Sequence, residues 1–430
     1  MLDLRLIRED PDAVRSALAR RDPALAGLVD DVLAADQEWR AATQTAESLR
    51  ATQKAESENI AAGKREGADV SGALAKMKQL SARVKELVEQ AGAAKQRLDE
   101  LIARLPNLPD PSAASGPEDE PVRIVGEPPA FGFPALDHLD LAGPRIDMER
   151  AAALSGARFA YLRGELVLVE LALVRWALDK LREHGFEPVI PPVLVREHAL
   201  YGTGFLPDTE QQIYTLPADE LYLVGTSEVA LASLHAGEIL EAEQLPLRYA
   251  GFSPCFRREA GAAGKDTRGI FRVHQFDKVE MFSFVVPDQS AAEHERILAI
   301  EEEILQELSL PYRVMNIAVG ELGASAAKKY DCEAFLPSQA RYRELTSCSN
   351  TTDYQARRLD IRVRPARSGD REGARGIEPL HTLNGTAVAV GRTLVALLEN
   401  GQRADRSVEL PEALVPYGAP ALLEPAASGR

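Results

Sequence analysis

Residues 255–280 read CFRREAGAAGKDTRGIFRVHQFDKVE, and the fold turns on how this stretch is read. It gathers Arg257, Arg258, Lys265, Arg268, Arg272 and Lys278 in a chain whose formal net charge is -16. The run FRRE leads into a turn rich in glycine and alanine (Gly261, Gly264, Gly269). The return limb IFRVHQFDKVEMFSF has the β-branched and aromatic alternation of a strand. The stretch predicts a long hairpin carrying Arg257, Glu259, Arg272, Phe276 and Glu280 inward. Such a hairpin offers a guanidinium fork to a phosphate, an aromatic face to a base and a carboxylate to an ammonium. From spacing alone, an ordinary charged surface hairpin would read the same way.

On the N-terminal side, residues 1 to about 25 predict a short lead-in and an Asp-capped helix with Pro11 in its first turn. Next, Leu28, Val32, Ala35, Trp39, Ala42, Ala46 and Leu49 recur at alternating spacings of four and three. From Ala73 the rhythm resumes through Met77, Leu80, Val84, Leu87, Ala91, Ala94, Leu98, Leu101 and Leu105. This is the seam of a coiled coil. GKREGADVSG (63–72) interrupts it, so the halves are expected to fold back as an antiparallel helical hairpin. Between residues 50 and 85 eight basic residues stand against four acidic ones, which favours a polyanionic partner over a plain spacer. PNLPDPSAASGPEDEP reads as a linker, giving an N-terminal domain over 1–105, a linker over 106–121 and a second domain over 122–430.

Beyond the linker, strand-like runs (VRIV, ELYLV, YRVMNIAV) mix with helical ones such as GELVLVELALVRWALDKLREHGF. The expected class is α+β on a mainly antiparallel sheet flanked by helices. Neither GxGxxG nor GxxxxGK[ST] occurs, so a nucleotide would be bound without those loops. Four further stretches stand out. GFEPVIPPVLV (185–195) follows the long amphipathic helix. LVGTSEVALASLH (223–235) places Thr226, Ser227 and Glu228 at the opening of a helix, which alone is a helix cap. RYRELTSCSNTTDYQARR (341–358) sets Glu344 and Ser347 three apart, a commonplace pair able to aim two oxygens at one Mg²⁺. TLNGTAVAVGRTLVALLEN (382–400) reads as a strand with a glycine kink running into a helix, with Arg392 near the helix start, where an anion would relieve its opposition to the dipole.

The hydrophobic content of 45% and charged content of 27% are those of an ordinary globular protein. The acidic balance argues against a protein that coats nucleic acid, without excluding a local patch. No signal peptide and no bilayer-spanning run is expected, so the location is cytoplasmic. The three cysteines, Cys255, Cys332 and Cys348, lack CxxC spacing; no disulfide framework and no zinc site is expected, and burial as small apolar side chains is the default.

Residues 255–280 resemble motif 2 of class II aminoacyl-tRNA synthetases in the form found in seryl-tRNA synthetases. GFEPVIPPVLV, with its Pro192, resembles motif 1, and residues 382–400 resemble motif 3. The Thr-Ser-Glu turn and the 341–358 segment are similar to the family's serine and magnesium segments. Ala230 departs from the proline usual there, and the basic stretch 362–379 is longer than the family suggests and reads as a flexible loop. The resemblance implies activation of L-serine with ATP to seryl-adenylate and pyrophosphate, then transfer to the terminal adenosine of tRNA(Ser), with tRNA(Sec) as a further candidate acceptor. It implies a homodimer and a tRNA-gripping helical arm. It places ATP against Arg257, Arg258, Glu259, Arg272, Val273, Phe276, Glu344, Leu345, Thr346, Ser347 and Arg392, with Phe276 stacked on adenine opposite Arg392. L-serine falls to Thr226, Ser227, Glu228, Arg257, Glu280, Asn384 and Thr386, and Mg²⁺ to Glu344 and Ser347. Arg257 and Arg392 are the catalytic candidates. The alternatives are a specialised second copy or a synthetase-like paralogue, loading a carrier protein or regulatory.

Overall fold

The computed structural model describes residues 1–207, 212–260, 266, 268–365 and 376–426. Gly261, Gly264 and Lys265, and most of the basic stretch 362–379, lie outside the described residues. The chain divides into two compact units, Leu2–Leu108 and Pro109–Arg430 with Met1.

The N-terminal unit is helical. Asp3 caps α1 (Leu4–Glu9), and Asp10 caps α2 (Pro11–Ala19), whose first residue is Pro11. The long helices α3 (Leu25–Arg65) and α4 (Ser71–Ala103) follow. At about 1.5 Å per residue, α3 spans roughly 60 Å. Glu38 meets Arg97 and Gln53 meets Ser81 across the hairpin, a descending register that makes the two helices antiparallel. The expected seam is the buried one, with Val32, Ala35, Ala46, Val84, Leu87 and Leu98 at its centre. Where Leu49 hands over to a polar residue, Gln53 Nε2 donates to Ser81 Oγ at 2.8 Å, which lets the seam run on to buried Ile60. A feature that periodicity does not announce is Asp36, whose side chain is 1% exposed between Arg8 and Arg40. Burial works against its charge, but the two guanidiniums outweigh it and hold the carboxyl below its ordinary value.

The larger unit is built on an eight-stranded sheet. Its strands are β1 (Glu120–Val125), β2 (Glu187–Val189), β3 (Leu247–Phe256), β4 (Gln275–Val285), β5 (Tyr312–Asn316), β6 (Lys328–Leu336), β7 (Arg341–Thr352) and β8 (His381–Ala389). The spatial order is β1-β5-β6-β7-β8-β4-β3-β2, antiparallel throughout except for the β2–β3 edge pair. Helices α5 (Glu165–Glu183), α6 (Glu228–Ala232), α7 (Ser290–Glu307), α8 (Tyr354–Leu359) and α9 (Val390–Asn400) complete the elements around the site. Leu173 and Ala177 of α5, Ile297 and Ile304 of α7 and Leu394 and Leu398 of α9 join Met281, Cys332, Leu345, Cys348 and Leu383 in one core on one face of the sheet. All three cysteines are free and buried.

Two expectations need correction. The return limb of the 255–280 hairpin enters the sheet only at Gln275, because the His274 N–H turns away to Arg158 O and the Arg257 carbonyl it would have met is taken by the His274 ring Nδ1 at 2.9 Å. Within 106–121, Ala113 and Ala114 are buried, Ala113 packing with Met315 and Ile317, and Glu120 and Pro121 belong to β1. Gly385 does not kink β8. It is required because a Cβ there would lie 2.3 Å from Ile297 Cγ2 and 3.0 Å from Glu301 Oε1, so α7 can approach only a glycine.

Candidate active site

The face of the sheet opposite the core carries a cavity of about 350 Å³. Strand alternation sets its floor. Residues two apart share a face, so Phe276, Lys278 and Glu280 of β4 line the cavity, as do Asn384 and Thr386 of β8 and Ser347 and Ser349 of β7. Glu344 and Ser347, an odd number apart, would point to opposite faces of a regular strand. Between β6 and β7 the register shifts: Cys332 pairs with Thr346 but Glu333 pairs with Glu344. Leu345 is thus an extra residue, and this bulge brings Glu344 and Ser347 onto one face. A second shift, with Val279 opposite Val388 and Glu280 opposite Thr386, makes Ala387 extra and returns Ala389 to the cavity wall.

At one end the polar groups interlock. Glu280 is fully buried, and its Oε2 lies 2.5 Å from Lys278 Nζ. Asn384 Nδ2 donates to Oε1 at 3.1 Å and Thr386 Oγ1 to Oε2 at 3.3 Å. Lys278 also donates to Thr226 Oγ1 at 2.8 Å, and Thr226 Oγ1 accepts the Glu228 N–H. Gln355 Nε2 of α8 donates to Glu228 Oε1 at 2.7 Å. Burial, reinforced by the charge of Glu280, pushes the Glu228 carboxyl up to about 7 against the pull of Gln355, Lys278 and Arg257. This end is a small, buried, hydrogen-bonding chamber with an anionic floor.

The other end is cationic and aromatic. Arg257 Nε donates to Gly225 O at 3.1 Å, and its guanidinium sits 5.4 Å from the Phe276 ring centre. Arg392, third residue of α9, donates to Glu344 O at 3.1 Å and lies 3.3 Å from the Glu344 carboxylate. The guanidiniums of Arg392 and Arg343 lie 4.9 and 4.1 Å from the ring centre of Phe271. Arg272 bonds Glu259 at 2.6 Å. Burial works against the charge of Glu344, but Arg392, Lys329 and Arg257 together hold its carboxyl below the ordinary value. An aromatic slot lined by guanidiniums can offer a ring face to a base and charge to an anion.

Of the residues singled out from sequence, Thr226, Glu228, Arg257, Glu259, Arg272, Val273, Phe276, Glu280, Glu344, Leu345, Thr346, Ser347, Asn384, Thr386 and Arg392 line this one cavity. Two do not. Arg258 is exposed, because its neighbour Arg257 takes the inward position. Ser227 is buried beneath the wall, its Oγ 3.0 Å from where a Cβ of Gly251 would stand. Sequence reasoning missed Lys278, Phe271, Lys329 and Gln355. For Lys278 the signal was present, since it stands two residues from Glu280 on a strand.

A helix-backed antiparallel sheet whose open face holds a nucleotide slot beside a small polar chamber defines a class II aminoacyl-tRNA synthetase core. The family model of the tRNA synthetase class II core domain (G, H, P, S and T) matches residues 214–401, and that of the seryl-tRNA synthetase N-terminal domain matches residues 1–109. The serine–tRNA ligase of Acidothermus cellulolyticus is 52% identical, covering 99% of this chain and 100% of its own. That of Streptomyces coelicolor is 50% identical at the same coverage. The structure of the Pyrococcus horikoshii seryl-tRNA synthetase complexed with ATP is 41% identical, with a TM-score of 0.92 over 99% of this chain and 100% of that one. The chain belongs to the seryl-tRNA synthetase family.

Proposed function

We propose that the protein joins L-serine to tRNA(Ser) in two steps. The serine carboxylate attacks the α-phosphorus of ATP to give seryl-adenylate and release pyrophosphate. A hydroxyl of the terminal ribose of tRNA then attacks the activated carbonyl, and AMP leaves. The observation that carries this reading is the meeting, in one cavity, of a buried anionic chamber (Thr226, Glu228, Glu280, Asn384, Thr386) with the Arg257, Phe276, Arg392 and Glu344 end.

The chain's part is positioning and charge compensation. Glu280 receives the serine ammonium. Thr386, Asn384 and Thr226 surround its hydroxyl, and Arg257 bridges the serine carboxylate and the α-phosphate. Phe276 offers its ring to adenine, Glu259 its carboxylate to the adenine amino group, and Arg392 its guanidinium to the γ-phosphate. Buried groups that pair with the hydroxyl stay unsatisfied when alanine or glycine enters, a loss worth on the order of 10⁴-fold discrimination. Glu344 and Ser347, brought to one face by the bulge, are hard oxygen donors of the kind Mg²⁺ prefers, and two protein ligands leave room for phosphate oxygens and water. They fit the ion, which when bound would neutralise phosphate charge.

The helical arm supplies the tRNA contact: Lys64, Arg65, Lys76 and Lys78 near its turn are all exposed, as a phosphate backbone requires. A second copy covers the apolar surface of α5 and the β2 edge, where Leu168 is 53%, Leu171 58% and Ile190 83% exposed. Among the described residues no helix is long and apolar enough to cross a membrane, and a cytosolic location goes with this reading. The test is ATP–pyrophosphate exchange with serine, threonine, alanine and glycine. Serine alone should support rapid exchange; equal rates for serine and alanine would overturn the assignment.

A further inference from the structure

On the core side of the sheet, beneath the cavity, Glu301 of α7 is fully buried, where a carboxyl group needs a partner to be tolerated. Thr346 Oγ1 donates to its Oε2 at 2.8 Å. Its Oε1 ends 3.0 Å from where a Cβ on Gly385 would stand, so the helix reaches the strands only because β8 offers a glycine there. Burial pushes this carboxyl well above the usual range, and the charges of Glu280 and Asp331 act in the same direction.

The bulge explains why such a group is present. All four residues from Glu344 to Ser347 border the cavity. With Leu345 as the extra residue, however, Leu345 and Thr346 are only 1% and 2% exposed, Leu345 packed in the core and Thr346 bonded to Glu301, while Glu344 and Ser347 stay partly exposed on the cavity side. Leu345 suits the core; the Thr346 hydroxyl does not. Left alone it would favour the regular ladder, which would send Ser347 to the wrong face. Given a partner, it favours the bulge.

We propose that Glu301 is a positioning residue for nucleotide binding: by accepting the Thr346 hydroxyl it holds the Leu345 bulge, and thereby the orientation of Glu344 and Ser347 toward ATP and its metal ion. The proposal rests on the synthetase reading of the cavity. It concerns a residue that touches neither substrate.

The experiment uses the full chain and measures ATP binding directly by titration calorimetry with saturating Mg²⁺, alongside serine binding and thermal melting. Glu301→Ala is expected to weaken ATP binding at least five-fold and to raise the Mg²⁺ concentration needed for half-maximal exchange by a similar factor, with serine affinity within two-fold. Glu301→Gln, which keeps an acceptor for Thr346 in the same shape, should stay within two-fold of the parent in all of these. Thr346→Val, which keeps the volume and removes only the hydroxyl, should reproduce the alanine phenotype even if Glu301→Ala folds poorly. The double variant Glu301→Ala/Thr346→Val should lose no more than the worse single variant. Unchanged ATP affinity in Thr346→Val, or a Glu301→Gln as impaired as Glu301→Ala, overturns the proposal. A parent protein that binds ATP but shows no response to serine would instead count against the activity.

Discussion

Replacing Glu280 by glutamine is the sharpest test of the serine chamber, because the structure assigns that carboxylate two roles that can be measured apart. Glu280 is fully buried and its partner Lys278 is 7% exposed, with Nζ and Oε2 2.5 Å apart. Removing one member of a buried ion pair costs about 3–5 kcal/mol. The amide oxygen of glutamine still accepts from Lys278, so the lower end applies, about 3 kcal/mol. At roughly 2–4 °C per kcal/mol for a domain of this size, the melting temperature should drop by roughly 6–12 °C. The serine ammonium loses a charged acceptor worth about 1.5–3 kcal/mol, or a roughly 10- to 150-fold rise in Kd. ATP, bound at the far end, should be affected less than about three-fold. Calorimetric titration with each ligand, beside a thermal melt, separates the two roles. The double variant Lys278→Met/Glu280→Gln should recover most of the melting temperature and none of the serine affinity, since the stranded ammonium is gone but the acceptor is still missing. If Glu280→Gln weakens serine and ATP equally, Glu280 is a structural carboxylate and the chamber's assignment fails.

Arg257→Ala should lower serine-dependent exchange by several orders of magnitude without unfolding the protein, and a rate within a few-fold of the parent would remove Arg257 from the phosphate site. Glu228, pushed up to about 7, binds its proton more tightly folded than unfolded, so its contribution to stability is largest at low pH and is lost as pH rises toward and through 7. Serine's ammonium favours the ionised form, so serine affinity should fall as pH drops from 8 to 6, and Glu228→Gln should flatten that profile in binding titrations. Charge reversal at Lys64, Arg65, Lys76 and Lys78 should leave exchange intact, weaken tRNA binding and reduce its log–log salt slope by about one for each phosphate no longer neutralised; an unchanged slope would make the arm a spacer. Leu171→Arg, which charges the exposed face of α5, should shift the protein toward monomers in light scattering.

What the sequence made legible was local. Helical heptads, the Asp caps at α1 and α2 and the glycine interruption between α3 and α4 each depend on residues within a turn or two of one another. The hairpin stretch placed Arg257, Phe276 and Glu280 together because a strand's alternation is regular. Interactions made across the fold were not legible. Nothing near Asp36 in the chain announces Arg8, and nothing near Thr346 announces Glu301, 45 residues away. Arg257 and Arg258 are indistinguishable until the end of β3 decides which of them points inward. Ser227 looks like a ligand of the chamber beside Thr226, yet close packing against Gly251 takes it below the wall. The register shifts at Leu345 and Ala387 depend on which strands become neighbours, and sheet order is a property of the whole unit.

Those two extra residues also govern which changes of chain length the enzyme can survive. A loop can gain or lose a residue at small cost, and a strand can usually accept a change of side chain on its buried face. Loss of a regularly paired residue from β7 or β8 would be of another kind. One missing residue would reverse the facing of everything on one side of it, turning a core strand's apolar residues toward solvent and its polar ones toward the helices. Leu345 and Ala387 are the exceptions: without either one, Thr346 follows Glu344, or Val388 follows Thr386, in a regular ladder whose flanking side chains keep their faces, so β7 and β8 can each lose that one residue without turning the strand over.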